Sequence, residues 1–365
     1  MSGRAPWRGG VEDESVLARV AFAPLSPFAA LYALGARAHR AAWGAAPRAG
    51  ARSMLRPERL PCRVVAVGSV VAGGAGKTPL AAFVARGLAA RGHRVAVASR
   101  GYGRRGARGR EPLVVSDRER LRGDVASCGD EPMWLAAALP GVPVLVARDR
   151  ARAGRLAHAL FATDVLVLDD GLQHHRVERD VAIGVFDAAA GLGNARVLPR
   201  GPLREPLAAL GACDAIAVVG GALRARDEAL VAAAAPRAAR FAARRDVVGV
   251  RGLGLRESAP PSLLRGLRAG MLCGIASPRS FRASLEAEGA VVVAERVFAD
   301  HHRFRARDLR GLGAAAPLWL ATEKDAPKLR ADWARAAGVD VRIVASRARV
   351  EPEAPFFDWL ERALA

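Results

Sequence analysis

Arg63-Val64-Val65-Ala66-Val67-Gly68 runs within a few residues into Gly73-Gly74-Ala75-Gly76-Lys77-Thr78, and the two segments together say most about the architecture. The first is apolar and β-branched and reads as a buried strand, and residues 79–91 carry the pattern of a helix. Glycines in the loop between them let backbone N–H groups approach a phosphate closely, because no Cβ intrudes. The N-terminus of the helix that follows adds partial positive charge. In this arrangement Lys77 reaches the β- and γ-phosphates, and the Thr78 hydroxyl ligates Mg²⁺. The strict G-x-x-x-x-G-K-[ST] spacing is not met, since Val71 stands where its first glycine belongs. The strand–loop–helix context is still the one this chemistry requires.

On either side the same alternation continues. Residues 95–98, 142–146, 164–168, 181–186 and 215–219 read as further strands between helical stretches. That rhythm means βαβ units, a mainly parallel sheet and helices on both faces. After Gly221 the composition turns rich in alanine and arginine, and a second βα series begins near Leu272, with strands at 291–293, 318–320 and 341–344. The expected fold class is α/β: a phosphate-loop domain at 51–222, a connector at 223–250, and a smaller α/β domain at 251–365. Residues 1–50 form a separate N-terminal segment.

That segment raises the question of a membrane. Residues 20–36 carry no charge and are followed by Arg37, His39 and Arg40. The run is shorter than the roughly 20 apolar residues a span needs, and Pro24 and Pro27 should break a helix in its first half. Phe22, Leu25, Phe28, Leu31, Tyr32 and Leu34, with arginines behind them, suit a helix lying in the membrane interface. Glu12, Asp13 and Glu14 argue against a cleaved secretory signal.

Over 365 residues the net charge is +20, which favours anionic partners. Among the 56 basic residues only Lys77, Lys324 and Lys328 are lysines, so much of the charge reflects a compositional habit. With only 5% aromatic residues there are few platforms for stacking bases, and nucleic acid is not the expected partner. Cys62, Cys128, Cys213 and Cys273 show no metal spacing and fit a reduced, cytosol-facing chain.

Other candidate residues sit at the ends of predicted strands. Asp169-Asp170 closes the strand at 164–168, where carboxylates can face the phosphate loop and hold Mg²⁺. Gly171-Leu172-Gln173-His174-His175 continues along the same edge. In Gly129-Asp130-Glu131-Pro132, local sequence favours Asp130 as a helix cap over a general base. Asp300-His301-His302 and Thr322-Glu323-Lys324-Asp325 add charged clusters to the second domain.

Taken together, these blocks resemble the tetraacyldisaccharide 4'-kinases of lipid A biosynthesis. The matching text runs from Val67-Gly68-Ser69 through the loop to Pro79. It continues with Ser99-Arg100-Gly101-Tyr102-Gly103-Arg104, Gly129-Asp130-Glu131-Pro132, Asp169-Asp170-Gly171-Leu172-Gln173-His174 and Leu198-Pro199-Arg200-Gly201-Pro202-Leu203-Arg204-Glu205-Pro206. It closes with Phe298-Ala299-Asp300-His301-His302 and Thr322-Glu323-Lys324-Asp325-Ala326.

The resemblance implies two α/β/α domains joined by a β-strand linker. It also implies transfer of the γ-phosphate of ATP, with Mg²⁺, to the 4'-hydroxyl of an acylated glucosamine disaccharide 1-phosphate, giving lipid IVA. The implied location is the cytoplasmic face of the bacterial inner membrane, against its anionic surface. By matching position, Lys77 and Thr78 serve phosphates and metal, Asp169 and Asp170 the metal, and Asp130 is the catalytic aspartate working with His301. This displaces the cap reading of Asp130. Arg204 steadies the transferring charge, and Glu131, Gln173, His174 and Glu205 support the metal and phosphate groups. Ser69 departs from the family's usual Asn, Arg200 from a common small residue, and Pro327 interrupts the end of the last block. A rival reading is a membrane-associated ATPase switch with a similar double-glycine loop, but that class carries Lys just before the glycines, where this chain has Ala72.

Overall fold

The structure is a computed structural model and describes residues 23–43, 55–101, 111–255 and 257–365. Glu12–Glu14, residues 20–22 of the uncharged run and Tyr102-Gly103-Arg104 lie outside them. In chain order the strands are β1 (Arg63–Gly68), β2 (Val95–Ser99), β3 (Leu113–Ser116), β4 (Val144–Val146), β5 (Val165–Asp169) and β6 (Val181–Asp187). They continue with β7 (Ala215–Val219), β8 (Ala239–Gly252), β9 (Arg268–Cys273), β10 (Val291–Val297), β11 (Leu318–Thr322) and β12 (Asp340–Glu351). The longer helices are α1 (Ser26–Ala42), α2 (Lys77–Ala90), α3 (Asp130–Ala138), α4 (Arg150–Phe161), α5 (Ala225–Ala234), α6 (Pro278–Ala287) and α7 (Glu353–Leu364).

The chain divides into two compact units. One is Arg245–Ala348; the other comprises the described residues up to Arg244 together with Arg349–Ala365. In the larger unit the strand order is β8-β7-β6-β1-β5-β2-β4-β3, parallel throughout except that β3 runs antiparallel to β4. Val64 to Val67 are buried on both faces of β1, as expected of a central parallel strand covered by helices. In the β1–β5 register Val67 lies opposite Asp169, so the carboxylates end level with the start of the phosphate loop. The smaller unit orders its strands β10-β9-β11-β12, all parallel. One of its cores gathers Leu272, Leu309, Leu312 and Trp319, and another gathers Met271, Phe281, Leu285 and Leu320.

Several expectations change here. The connector read at 223–250 contains α5 and most of β8, whose half-buried, alternating residues hide a strand among alanines and arginines. The edge strand β3 has no counterpart among the strands read from the sequence. Pro27 sits in the first turn of α1 and opens the helix instead of breaking it, because an N–H missing at that position has no intrahelical acceptor to lose. No helix among the described residues is long and apolar enough to cross a membrane.

The return of Arg349–Ala365 to the larger unit has a packing cause. Phe356 and Phe357 of α7 are fully buried, with Phe83 of α2 at 5.7 and 5.2 Å and Phe241 of β8 at 4.9 Å from Phe356 between ring centroids. The Arg91 guanidinium lies 3.9 Å above the Phe357 ring. Gly87, in the middle of α2, makes this possible, since a Cβ there would overlap the Phe357 ring. Gly87→Ala therefore separates two effects of opposite sign. Helix propensity alone would stabilise by about 1 kcal/mol, whereas overpacking a core costs about 1–3 kcal/mol. We expect a lower urea midpoint at unchanged slope, partly restored by adding Phe357→Leu. A midpoint at or above that of the wild type would contradict this packing.

Candidate active site

The phosphate loop is built at the carboxyl end of β1. Gly73 and Gly76 have φ of 108° and 82°, conformations that L side chains rarely adopt, and Gly76 is the residue from which α2 starts. Lys77 follows as the first residue of α2 and is buried. Its Nζ donates to the Gly73 carbonyl at 2.9 Å and stands 3.8 Å from Asp170 Oδ1. The entry to the loop is braced by the 197–206 segment. Ala72 N–H donates to the Pro202 carbonyl at 2.8 Å, and Arg204 N–H donates to the Val70 carbonyl at 2.7 Å. Ser69 turns its hydroxyl back to accept from Val71 N–H at 3.1 Å.

Asp169 ends β5 and Asp170 follows it at φ 52°, a left-handed conformation on a non-glycine residue. Strain of this kind persists only where the surroundings enforce it, typically at functional sites. The Thr78 and Ser99 hydroxyls each donate to Asp169 Oδ2 at 3.3 Å, and Arg204 Nη1 donates to Asp170 Oδ2 at 2.7 Å. The two carboxyls differ in their electrostatics. Burial pushes Asp169 well above the usual carboxylate range, with the charges of Glu131 and Asp170 adding to it, and Lys77 and Thr78 opposing only in part. Burial acts on Asp170 in the same direction, but Lys77, Arg204 and Arg150 outweigh it and hold the group below its ordinary value.

Asp169 Oδ1 and Asp170 Oδ1 are both buried and accept no hydrogen bond from the described residues. Two unsatisfied carboxylate oxygens beside a phosphate loop suit a hard cation, and Mg²⁺ on nucleotides is commonly held by one or two carboxylates together with phosphate oxygens and water. Among the described residues no group of three or more His, Cys, Asp and Glu stands ready to hold a metal alone. Asp169, Asp170 and Thr78 are drawn together, whereas Glu205 is engaged elsewhere. Its Oε1 accepts from Arg40 Nη2 at 3.0 Å and its Oε2 from the Gln173 amide at 3.0 Å, with the His175 ring 3.6 Å from Oε1. Burial would raise the Glu205 carboxyl, yet His175, Arg40 and Gln173 prevail and bring it down to about 2.

Asp130 is buried as the first residue of α3, and the capping position belongs to Gly129, at φ 94°. Asp130 Oδ1 accepts from the Glu131 N–H at 3.0 Å. His174 Nε2 accepts from the Arg150 N–H at 3.3 Å, and burial pushes its ring down to about 3, so it is neutral. In the smaller unit His301 has φ 61° and its Nε2 stands 3.7 Å from Asp300 Oδ2. Lys324 Nζ reaches Asp300 Oδ1 at 3.4 Å, which joins the two charged blocks of that unit. Asp325 is fully buried and accepts from the Thr322 hydroxyl at 2.7 Å and Gly274 N–H at 3.1 Å, a tie between the ends of β9 and β11. His302 stacks on Phe298 at 4.2 Å and pairs with Asp308 at 3.0 Å, which is a packing role.

Sequence reasoning assigns no role to Arg150 or Ser99, reads Arg40 only as part of the basic flank of the N-terminal run, and places His175 only in the polar stretch after the aspartate pair. Arg150 is buried at the start of α4, and burial together with the nearby Arg100 charge lowers its guanidinium to about 10 against the pull of Asp170 and Asp169. In a chain so rich in arginine, Arg150 does not stand out by residue type. Ser99 had a signal in its place at the end of a predicted strand.

A family model described as Tetraacyldisaccharide-1-P 4'-kinase matches residues 21–365. The Tetraacyldisaccharide 4'-kinase of Anaeromyxobacter dehalogenans (strain 2CP-C) is 42% identical over 327 residues, covering 86% of this chain and 84% of that protein. Its counterpart in Geobacter sulfurreducens is 38% identical over 342 residues, covering 92% of each. Among solved structures, LpxK from Aquifex aeolicus in complex with ATP superposes with a TM-score of 0.71 at 25% identity, over 94% of this chain and all of that one. A phosphate loop, a paired carboxylate and an arginine on one sheet edge, matched over nearly the whole sequence, leave one assignment: the chain belongs to the tetraacyldisaccharide 4'-kinase family.

Proposed function

We propose that this chain is an ATP-dependent lipid kinase that transfers the γ-phosphoryl group to the 4'-hydroxyl of tetraacyldisaccharide 1-phosphate, forming lipid IVA. The observation that carries the reading is the grouping of Lys77, Asp170 and Arg204 beside the glycine loop, with Lys77 and Arg204 at 3.8 and 2.7 Å from the same carboxylate. Two cations and the amides of a helix N-terminus gathered there offset negative charge on phosphoryl oxygens, which is most of what this transfer demands. Asp169, Asp170 and Thr78 hold Mg²⁺ in this reading. When bound, the ion would neutralise charge on the β- and γ-phosphates and on the two carboxylates. Asp130 takes the proton from the attacking hydroxyl.

A lipid acceptor fits the features of the N-terminal helix. Its outward apolar residues and the exposed Arg37 suit a peripheral position on an anionic membrane surface, at the cytoplasmic face of the inner membrane. The ATPase-switch alternative accounts for the loop but gives no role to an aspartate such as Asp130, buried at a helix start.

Incubation with labelled ATP and the disaccharide lipid should yield a phosphorylated lipid; ATP hydrolysis with no lipid product would favour the switch. Asp130→Asn should leave nucleotide binding nearly intact and lower turnover by about 10²-fold or more, the lower range for losing a general base. Near-normal turnover of the purified variant would remove Asp130 from that role. Deleting residues 1–44 should reduce sedimentation with anionic liposomes, and unchanged sedimentation would assign the segment to the fold alone.

A further inference from the structure

Helix α1 carries its large apolar side chains outward. Phe28, Leu31 and Leu34 are 63%, 69% and 63% exposed, and Ala29 is the one residue of the helix that is buried. Apolar packing, the usual source of helix stability in proteins, is therefore nearly missing on its inner side. Polar contacts hold it instead. The Tyr32 hydroxyl donates to the Arg204 carbonyl at 3.0 Å. Arg40 donates to Glu205 Oε1 at 3.0 Å and to the Ala209 carbonyl at 3.2 Å. Arg200 bonds the Ser26 hydroxyl, and the His39 ring lies 5.5 Å from that of His175.

Arg200, Arg204 and Glu205 belong to the 197–206 segment that braces the phosphate loop, and two routes lead inward from the last two. From Tyr32 the path crosses the Arg204 carbonyl to the Arg204 guanidinium, which holds Asp170. From Arg40 it crosses Glu205 to the Gln173 amide, which also donates to the Ser69 carbonyl at 3.1 Å, where β1 gives way to the loop. Arg40 is mostly shielded and Glu205 is buried, so removing the guanidinium takes from a buried carboxylate its cationic partner.

We propose that Arg40 is a positioning residue for phosphoryl transfer, acting through Glu205, so that seating α1 on a lipid surface fixes the Arg204–Glu205 segment against the phosphate loop. The inference rests on the lipid-kinase reading and adds to it a coupling between the surface the enzyme touches and the geometry at the phosphates.

The test compares full-length wild type, Arg40→Ala, Arg40→Lys and Tyr32→Phe on the disaccharide lipid in vesicles of phosphatidylethanolamine and phosphatidylglycerol. Vesicle sedimentation and a nucleotide titration run alongside. Arg40→Ala should sediment with vesicles and keep its KM for the lipid, while kcat falls about tenfold or more, within what a small misplacement far from the chemistry costs. Arg40→Lys should recover part of that loss, because an ammonium can reach Glu205 but lacks the fork that also engages Ala209. Tyr32→Phe removes one hydroxyl and strands no buried charge, so it decides the matter if Arg40→Ala does not fold. Its kcat should fall about threefold, the scale of one net hydrogen bond.

Unchanged kcat in folded Arg40→Ala, or in Tyr32→Phe where the former does not fold, overturns the proposal. A loss confined to lipid KM and sedimentation also overturns it, since α1 would then be an anchor only. Failure of the lipid-kinase reading itself looks different, because the wild type would then make no phosphorylated lipid.

Discussion

Asp169, fully buried, and Asp170, partly so, are two carboxylates at the end of one strand, where their charges repel, and the nucleotide edge is arranged around that repulsion. Lys77, Arg204 and Arg150 all bear on Asp170, which lets it remain ionised, while Asp169 is left with two hydroxyl donors and a raised affinity for a proton. Asp169 is thus the carboxyl left short of positive charge, and a bound cation would supply it. Much of the local backbone serves this end. Gly73 and Gly76 bend the loop to bring Lys77 over it, the left-handed Asp170 turns its side chain to Arg204, and the 197–206 segment holds Arg204 by its N–H.

The same economy explains why Arg204 and Glu205, adjacent in the chain, play different parts. Arg204 reaches the phosphate side, whereas Glu205 faces the N-terminal helix and is saturated by Arg40 and Gln173. A carboxylate with both oxygens taken is a poor metal ligand and a good structural anchor. Conversely, the orphaned oxygens of the aspartate pair make poor anchors and good ligands.

Where the sequence could be read, the reason is physical. The central strands are continuous buried apolar runs, and few roles other than cradling a phosphate call for glycines, lysine and threonine in that order after a strand. β1, β5, β6, β7 and the phosphate site were visible for those reasons. β8 was not, because its residues alternate between half-buried and exposed in a segment where alanine and arginine dominate. β3 is short, partly exposed and antiparallel, with little contrast to its surroundings. Arg150 was hidden by composition and Arg40 was read only as part of a basic flank, since their contacts depend on where the fold puts them. Asp130 illustrates the limit of local reading: a capping residue by type, it is placed one position inside the helix, and Gly129 takes the cap.

The seat of Phe356 and Phe357 against Phe83 and Phe241 bears on the order in which this protein can be made. A ribosome releases Arg245–Ala348 before it supplies α7, so the first-synthesised unit waits through the emergence of the other one with an unfilled aromatic recess. During that interval Phe83 and its neighbours are open to wrong partners, a hazard that grows with translation pauses in the intervening hundred or so residues. Nascent chains of this enzyme should therefore depend on chaperone shielding until α7 arrives.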